Sequence, residues 1–397
     1  MEVAPASRSK VALVHHWLVT MRGGERVLEA LGELFPSADL FTLVYDRSKI
    51  PIALRRHHIS GSLLQYFPNP TEWYRHYLPF FPVATRHLDM SGYDLIISSD
   101  AAVVKGVRGD KCATHICYCH SPMRYVWSGY ETYYQAAGPI ARRTLSAVRS
   151  RLRKWDYDAA QRVTHFVANS RNVQNRIRDY YDRDSVVIYP PVETNVFLPS
   201  SDVGSFFLLV SQLVPYKRID LVVDAFRTCG RLLIVVGDGP ERRKLEKHAS
   251  PNIRFVGSQP RRLVVKAMQQ CKAFVFAGEE DFGIVMAEAQ ACGKPVIAFG
   301  RGGATEIVDD GVTGILFRHQ SADSLLEALE EFDRTSFDPS AIRLSALRFT
   351  RQRFISEFET FVRSALSSVS SDKFARRPCG SHDNASCRNS KRSYGTQ

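Results

Sequence analysis

The sequence predicts an α/β protein built from two doubly wound, Rossmann-like domains whose strand ends face each other across a cleft. Three observations carry that expectation. Short, near-continuous apolar runs alternate with longer helical stretches; the alternation comes in two series; and a proline-marked stretch separates them. Uninterrupted apolar strands spaced by helices belong to parallel sheets covered on both faces, because no strand there has a wet side. A length of 397 residues is enough for two ordinary cores.

In the first series, Val11–His15, Leu40–Val44, Leu95–Ser98, Thr114–Tyr118, His165–Ala168 and Val186–Ile188 read as strands. In the second, Phe206–Val210, Leu232–Val236, Ile253–Val256, Ala273–Phe276, Val296–Ala298 and Ile315–Phe317 do. The expected organisation is a first domain over 1–193, a linker over 194–204 following Pro190-Pro191, and a second domain over 205–345. Ala341 to Leu366 is helical, with apolar residues at turn spacing, and a terminal helix is expected over 346–370. Residues 371–397 carry six Lys/Arg against two Asp with almost no apolar side chains, the composition of a disordered tail.

Apolar content of 44% and charged content of 24% suit a globular, water-soluble chain. No stretch approaches the length of a membrane span, and residues 1–10 lack a signal-peptide apolar region. The expected location is the cytosol. A net charge of +12 favours anionic partners such as diphosphates or acidic headgroups; no nucleic-acid motif accompanies it, and none is expected as a partner. The eight cysteines form no paired framework. Cys112, Cys117 and Cys119 near His120 do not have metal-knuckle spacing, so buried free thiols are expected. Two D-x-D triplets, Asp156/Asp158 and Asp182/Asp184, read as surface carboxylates, and no metal is expected.

The chemistry concentrates in Gly278-Glu-Glu-Asp-Phe-Gly-Ile-Val-Met-Ala-Glu288. Glu280 falls in a strand-to-helix turn with Asp281, Phe282, Gly283 and Ile284; Glu288 falls about two turns into the helix that follows, expected over Val285–Cys292. Backbone N–H groups at such a turn suit a phosphate, and carboxylates suit sugar hydroxyls. Lys217, just past a strand end in Ser211-Gln212-Leu213-Val214-Pro215-Tyr216-Lys217-Arg218, suits a diphosphate and the charge that develops as a nucleotide departs. Gly237-Asp238-Gly239-Pro240 reads as a turn that also lines the nucleotide pocket, and Gly302-Gly303 as a second close-approach turn. Met21-Arg22-Gly23-Gly24-Glu25 opens a helix but is not a dinucleotide fingerprint. His120 stands past a strand end before a proline turn and is expected in the cleft, with Lys105 and Arg124 as further cleft candidates. Arg142–Trp155 has six Lys/Arg, no acid, and apolar residues Leu145, Val148, Leu152 and Trp155 at helical spacing. It is either a peripheral membrane contact or an ordinary amphipathic helix. The aromatic stretch from Tyr66 through Trp73 to Pro82 fits an acceptor wall, a lipid contact or a packed loop.

These residues resemble the family 4 retaining glycosyltransferases of the GT-B fold, over about residues 10–370. The marker is the E-x7-E pair Glu280 and Glu288 with the Phe282-Gly283 turn, supported by Gly237–Pro240, Gly293–Val296 and Gly302-Gly303 with Glu306. His15-His16-Trp17, Gly23–Arg26, Cys117–Tyr125 and Val187–Pro191 resemble the bacterial O-antigen and exopolysaccharide mannosyltransferases. The resemblance implies that Glu288 binds the donor ribose, and that Glu280, with the backbone of Phe282–Ile284, holds the transferred sugar. It implies that Lys217 holds the diphosphate, His120 contacts the sugar near the reacting carbon, Gly24 lies beneath the donor phosphate, and the terminal helix packs back on the first domain. The chain departs from the pattern at Gln212, where the family usually has arginine. An amide supplies neither the charge nor the fork of a guanidinium, so Arg218 or another cation takes its place or activity is reduced.

The implied activity is transfer of a hexose, mannose from GDP-mannose first among the candidates, to a hydroxyl of a saccharide or lipid-linked acceptor, with no cofactor. The alternatives are a same-fold sugar-nucleotide epimerase, a phosphorylase, for which no cofactor-lysine motif is present, and a catalytically weak sugar-nucleotide binding protein.

Overall fold

The computed structural model describes residues 9–375. Thirteen strands of the described residues form two parallel sheets. The first contains β1 (Val11–His15), β2 (Asp39–Thr42), β3 (Ile59–Gly61), β4 (Leu95–Asp100), β5 (Thr114–Cys119), β6 (His165–Ala168) and β7 (Ser185–Val187), in the order β3-β2-β1-β4-β5-β6-β7. The second contains β8 (Phe207–Val210), β9 (Leu233–Val236), β10 (Ile253–Gly257), β11 (Ala273–Phe276), β12 (Val296–Phe299) and β13 (Gly314–Phe317), in the order β10-β9-β8-β11-β12-β13. In both, the order reverses beside the first strand, which leaves a crevice at the carboxyl ends of β1/β4 and of β8/β11. The helices that position the site are α1 (Gly23–Leu34), α2 (Pro139–Arg162), α3 (Arg171–Tyr181), α4 (Ile284–Ala291) and α5 (Arg351–Ala375).

The central strands are buried along their whole length, as their apolar sequences require. Three-residue β3, at the sheet edge and only half-buried, was not expected; Ile-Ser-Gly is too short to carry a pattern. Helix α5 covers one face of the first sheet: Phe354, Phe358 and Val362 join Leu13 of β1 and Leu28 and Leu31 of α1 in one cluster. Phe354 meets the Tyr118 ring edge-on at 5.7 Å. The helix runs to Ala375, past the start of the expected tail, and residues 376–397 lie outside the described residues. No helix among the described residues is long and apolar enough to cross a membrane.

Two expectations are corrected here. Lys105 is not a cleft residue: it is wholly buried and pairs with Asp100 at 3.1 Å and Asp156 at 2.5 Å. Burial alone would lower its pKa, but the two carboxylates more than offset this and hold it well above the usual value. Asp156 is correspondingly not a surface carboxylate; it also accepts from Trp127 Nε1 at 2.8 Å and the Tyr181 hydroxyl at 2.7 Å. This network ties β4, α2 and α3 together. In α2 the apolar stripe faces inward, with Leu152 buried and Val148 and Trp155 packed on the same core, while Arg142, Arg143, Arg151 and Lys154 face solvent. In the aromatic stretch Tyr74 and Phe81 are buried, whereas Tyr66, Trp73 and Phe80 are exposed.

Removing one member of a buried charge network leaves its partners unpaired in low dielectric. Lys105→Ala is therefore expected to lower stability by about 3–5 kcal/mol, measured by urea unfolding.

Candidate functional site

The site lies between the two strand-order crevices. On the first-domain side, register brings three residues together: β1 pairs with β4 so that His15 lies opposite Ser99, and β4 pairs with β5 so that Asp100 lies opposite Cys119, just before His120. Ser99 Oγ is within 3.0 Å of His15 Nδ1 and 2.8 Å of His120 Nε2, and His16 Nδ1 lies 3.3 Å from the Ser99 carbonyl. Burial, then the neighbouring His16, push His120 down to about 3, and burial pushes His16 down to about 4, so this cluster is neutral at pH 7. His120 is partly exposed, and with Nε2 engaged by Ser99 its other ring nitrogen is the one left for a ligand. Gly24, in the first turn of α1, faces this cluster: a Cβ there would lie 3.5 Å from His120 Nε2.

On the second-domain side, the loop after β8 carries Gln212, Lys217 and Arg218, and the loop after β11 carries Glu279 to Gly283. Lys217 Nζ pairs with Glu280 Oε1 at 2.9 Å. Gly283 caps α4 with φ +90°, a conformation that suits glycine. Ile284, opening α4, lies opposite Gly23: a Cβ on Gly23 would be 3.3 Å from Ile284 Cγ2. Two helix N-termini thus converge across the cleft, and both favour an anion between them.

Glu288 lies on α4 and is partly buried. Its carboxyl makes no hydrogen bond or ion pair among the described residues, although Arg26, Glu193 and Arg261 are close enough to influence it. Burial dominates and pushes its pKa up to about 7.

Glycines determine how closely these loops pack. A Cβ on Gly237 would collide with the Ser211 carbonyl, and one on Gly239 with the Leu213 carbonyl. Gly237 therefore supports the Gln212 loop from behind. A Cβ on Gly302 or Gly303 would collide with the carbonyls of Glu280 and Phe282, and Gly303 N donates to Glu280 O at 2.9 Å. The close approach at Gly302-Gly303 is to the glutamate loop rather than to open space. Gly278, given no role of its own from sequence, lies against the backbone of Lys217.

Asp281 bridges the domains. Its carboxylate accepts from Arg124 Nε at 3.0 Å and Nη2, and from Arg176 Nη1 on α3; its carbonyl accepts from Ser170 Oγ at 2.7 Å. Burial alone would lower the Arg124 pKa, but Asp281 and Glu280 hold it above the usual value. Arg176 also pairs with Glu279 at 2.9 Å. Glu306 crosses from the second domain to accept the N–H groups of Arg171 and Asn172 at the start of α3, at 2.8 and 2.9 Å. Phe282 packs with Tyr189 and Phe349. Arg218 is held by Asp220, with Nε–O distances of 3.1 and 3.2 Å. Arg176, Ser99 and Ser170 carried no signal in the sequence: each matters through a partner distant along the chain.

This geometry coincides with two adjoining family matches. Residues 21–196 match Glycosyltransferase Family 4, and residues 198–336 match Glycosyl transferases group 1. The chain belongs to the family 4, group 1 glycosyltransferases. It is 31% identical over 167 residues to an uncharacterized glycosyltransferase of Methanocaldococcus jannaschii, covering 41% of this chain and 47% of that protein. It is 32% identical over 131 residues to a GDP-mannose-dependent alpha-mannosyltransferase of Mycobacterium tuberculosis, covering 32% of this chain and 34% of that protein. The chain thus spans less than half the length of these curated relatives. The Anabaena protein HepE, solved in complex with UDP and glucose, superposes with a TM-score of 0.65 at 19% identity, covering 89% of this chain and 100% of that one. In this glycosyltransferase chain the GT-B architecture is therefore clear, and Glu280 and Glu288 sit at the second-domain crevice.

Two outcomes test the geometry. Asp281→Ala leaves two partly buried guanidinium groups without their carboxylate, so closure is expected to weaken by about 2–5 kcal/mol. X-ray scattering would then show a larger radius of gyration. If Glu288 accepts hydrogen bonds from the hydroxyls of a sugar nucleotide, binding needs its ionised form. Below its pKa of about 7, affinity should fall by up to about tenfold per pH unit. A nucleotide sugar, whose diphosphate does not titrate near neutrality, is the suitable calorimetric probe, and Glu288→Gln should flatten the profile.

Proposed function

We propose that the protein is a retaining glycosyltransferase that moves a hexose, mannose from GDP-mannose, to a hydroxyl of a lipid-linked saccharide acceptor in polysaccharide or lipopolysaccharide synthesis. The observation that carries the reading is the Glu288 carboxyl, without a hydrogen-bond partner among the described residues, on the helix that follows Glu280, itself paired with Lys217. A ribose needs a free hydroxyl acceptor, a diphosphate needs a cation, and a sugar needs a second carboxylate. Glu288, Lys217 and Glu280 are suited to these three functions. The mannose assignment draws on the His15–Trp17 and Cys117–Tyr125 motifs and on the mannosyltransferase relative.

In the proposed reaction the anomeric C1–O bond to the diphosphate breaks, and a bond forms on the same face from C1 to the acceptor oxygen. The departing phosphate takes the acceptor's proton. Lys217 exchanges Glu280 for the phosphate and stabilises the charge that develops there. Glu280 is thereby released towards the sugar hydroxyls, and His120, neutral, offers its free ring nitrogen to the sugar. Closure of the two domains around the donor limits hydrolysis by water. A cytoplasmic site at the inner membrane face fits a lipid-linked acceptor. The exposed cations of α2, Arg142 and Arg143 among them, would supply the electrostatic part of that contact.

Calorimetry with GDP-mannose, UDP-glucose, UDP-N-acetylglucosamine and ADP-glucose tests the donor. Selective binding of GDP-mannose, lost in Glu288→Ala, is expected; preference for another donor removes the mannose assignment, and binding of none removes the reading. Lys217→Ala is expected to lower turnover by on the order of 100-fold or more, read as transfer of labelled sugar to a lipid-linked acceptor.

A further inference from the structure

The cleft contains a guanidinium with no charge partner. Arg22 immediately precedes α1, and no carboxylate among the described residues lies within ion-pair distance of its side chain. Its Nη1 donates instead to Gln212 Oε1 at 2.9 Å, across the cleft from the other domain. The Arg22 backbone is fixed, because its N–H donates to Glu25 Oε2 at 2.9 Å. That carboxyl is itself buried, with a pKa that burial pushes up to about 7.

The surroundings point to an anion. Lys217 approaches the crevice from the same loop as Gln212, whereas the neighbouring Arg218 is occupied by Asp220 and, at 3.4 Å, by Gln320. Beneath Arg22 the first turn of α1 carries no side chain at Gly23 or Gly24. The wholly buried His15 presents Nε2 with no hydrogen-bond partner, and its Cε1 lies 3.6 Å from where a Cβ on Gly24 would be. A diphosphate brings two anionic groups, and Lys217 can neutralise one. With Oε1 engaged by Arg22, Gln212 has its Nε2 hydrogens left to donate.

We propose that Arg22 is the second diphosphate-binding cation of this site, oriented by Gln212, so that the first domain supplies the charge that the loop after β8 lacks. The inference rests on the nucleotide-sugar reading above. It makes diphosphate affinity depend on domain closure, since the charge arrives with the opposite wall of the cleft.

The test uses the full chain and its Arg22→Gln, Gln212→Arg, Arg22→Gln/Gln212→Arg and Glu288→Ala variants. Each is titrated calorimetrically with GDP, GMP, UDP and UMP, after thermal melting shows it folded. Loss of one charged hydrogen-bond donor to phosphate should weaken diphosphate binding on the order of 10- to 100-fold. Monophosphate binding should fall less. The exchanged double variant returns a guanidinium to the crevice from the other wall and should recover most of the lost affinity, an outcome that a purely structural role for Arg22 would not produce. Unchanged diphosphate affinity in Arg22→Gln, alongside loss in Glu288→Ala, overturns this inference and leaves the nucleotide-sugar reading standing. Equal loss of mono- and diphosphate without recovery in the double variant also overturns it. If the unaltered protein binds neither GDP nor UDP, the nucleotide-sugar reading fails and the inference with it.

Discussion

The Asp281 carboxylate accepts from Arg124 and Arg176, two guanidinium groups of the first domain, while its own chain neighbour Glu280 holds Lys217. One turn of backbone therefore carries both the residue that brings the domains together and a residue of the candidate site. The position of Glu280 relative to His120 depends on this clamp. Strand geometry places each crevice within its own sheet, but only contacts across the cleft set one crevice against the other. Glu306 reinforces the clamp by accepting the first free N–H groups of α3, a set of donors that every helix start leaves to be satisfied.

The clamp is useful only if the loop it grips is stiff. Stiffness comes from behind, through backbone packed on backbone. Gly302 and Gly303 let the turn after β12 lie directly on the carbonyls of Glu280 and Phe282, and Gly278 lets the loop lie on Lys217. Any side chain at these positions would push the two loops apart and carry Glu280 away from Lys217. The glycines therefore act one layer behind the candidate site, holding Glu280 and Lys217 in place.

Much of this was legible in the sequence, and what was not has a common cause. Central strands such as Val11–His15 and Ala273–Phe276 could be found because a buried parallel strand is an uninterrupted apolar run, a purely local signal. The Glu280/Glu288 spacing was likewise local. Lys105 and Asp156 were misread because a charged residue is exposed far more often than buried, and because their partnership spans a helix and a strand with no pattern to announce it. The functions of Gly302-Gly303 and Arg22 were hidden for the same reason. The sequence shows a turn and a flanking cation, but what each meets is a segment distant along the chain.

Charge balance explains how the crevice can gather several charged groups and still suit an anion. Lys217 is compensated by Glu280, while Arg22 rests on the dipole of a neutral amide. Burial raises the cost of ionising Glu288, which favours its neutral form below about pH 7 and limits the negative charge beside Glu193. On the proposed reading, an entering nucleoside diphosphate would displace Glu280 from Lys217, give Arg22 an anion, and bring ribose hydroxyls to Glu288. On that reading the two cations would exchange a replaceable partner for a better one, whereas Glu288 would gain hydrogen-bond partners that it lacks among the described residues. The same reading implies selectivity, because an anion without the attached ribose would satisfy the cations and leave Glu288 as it was.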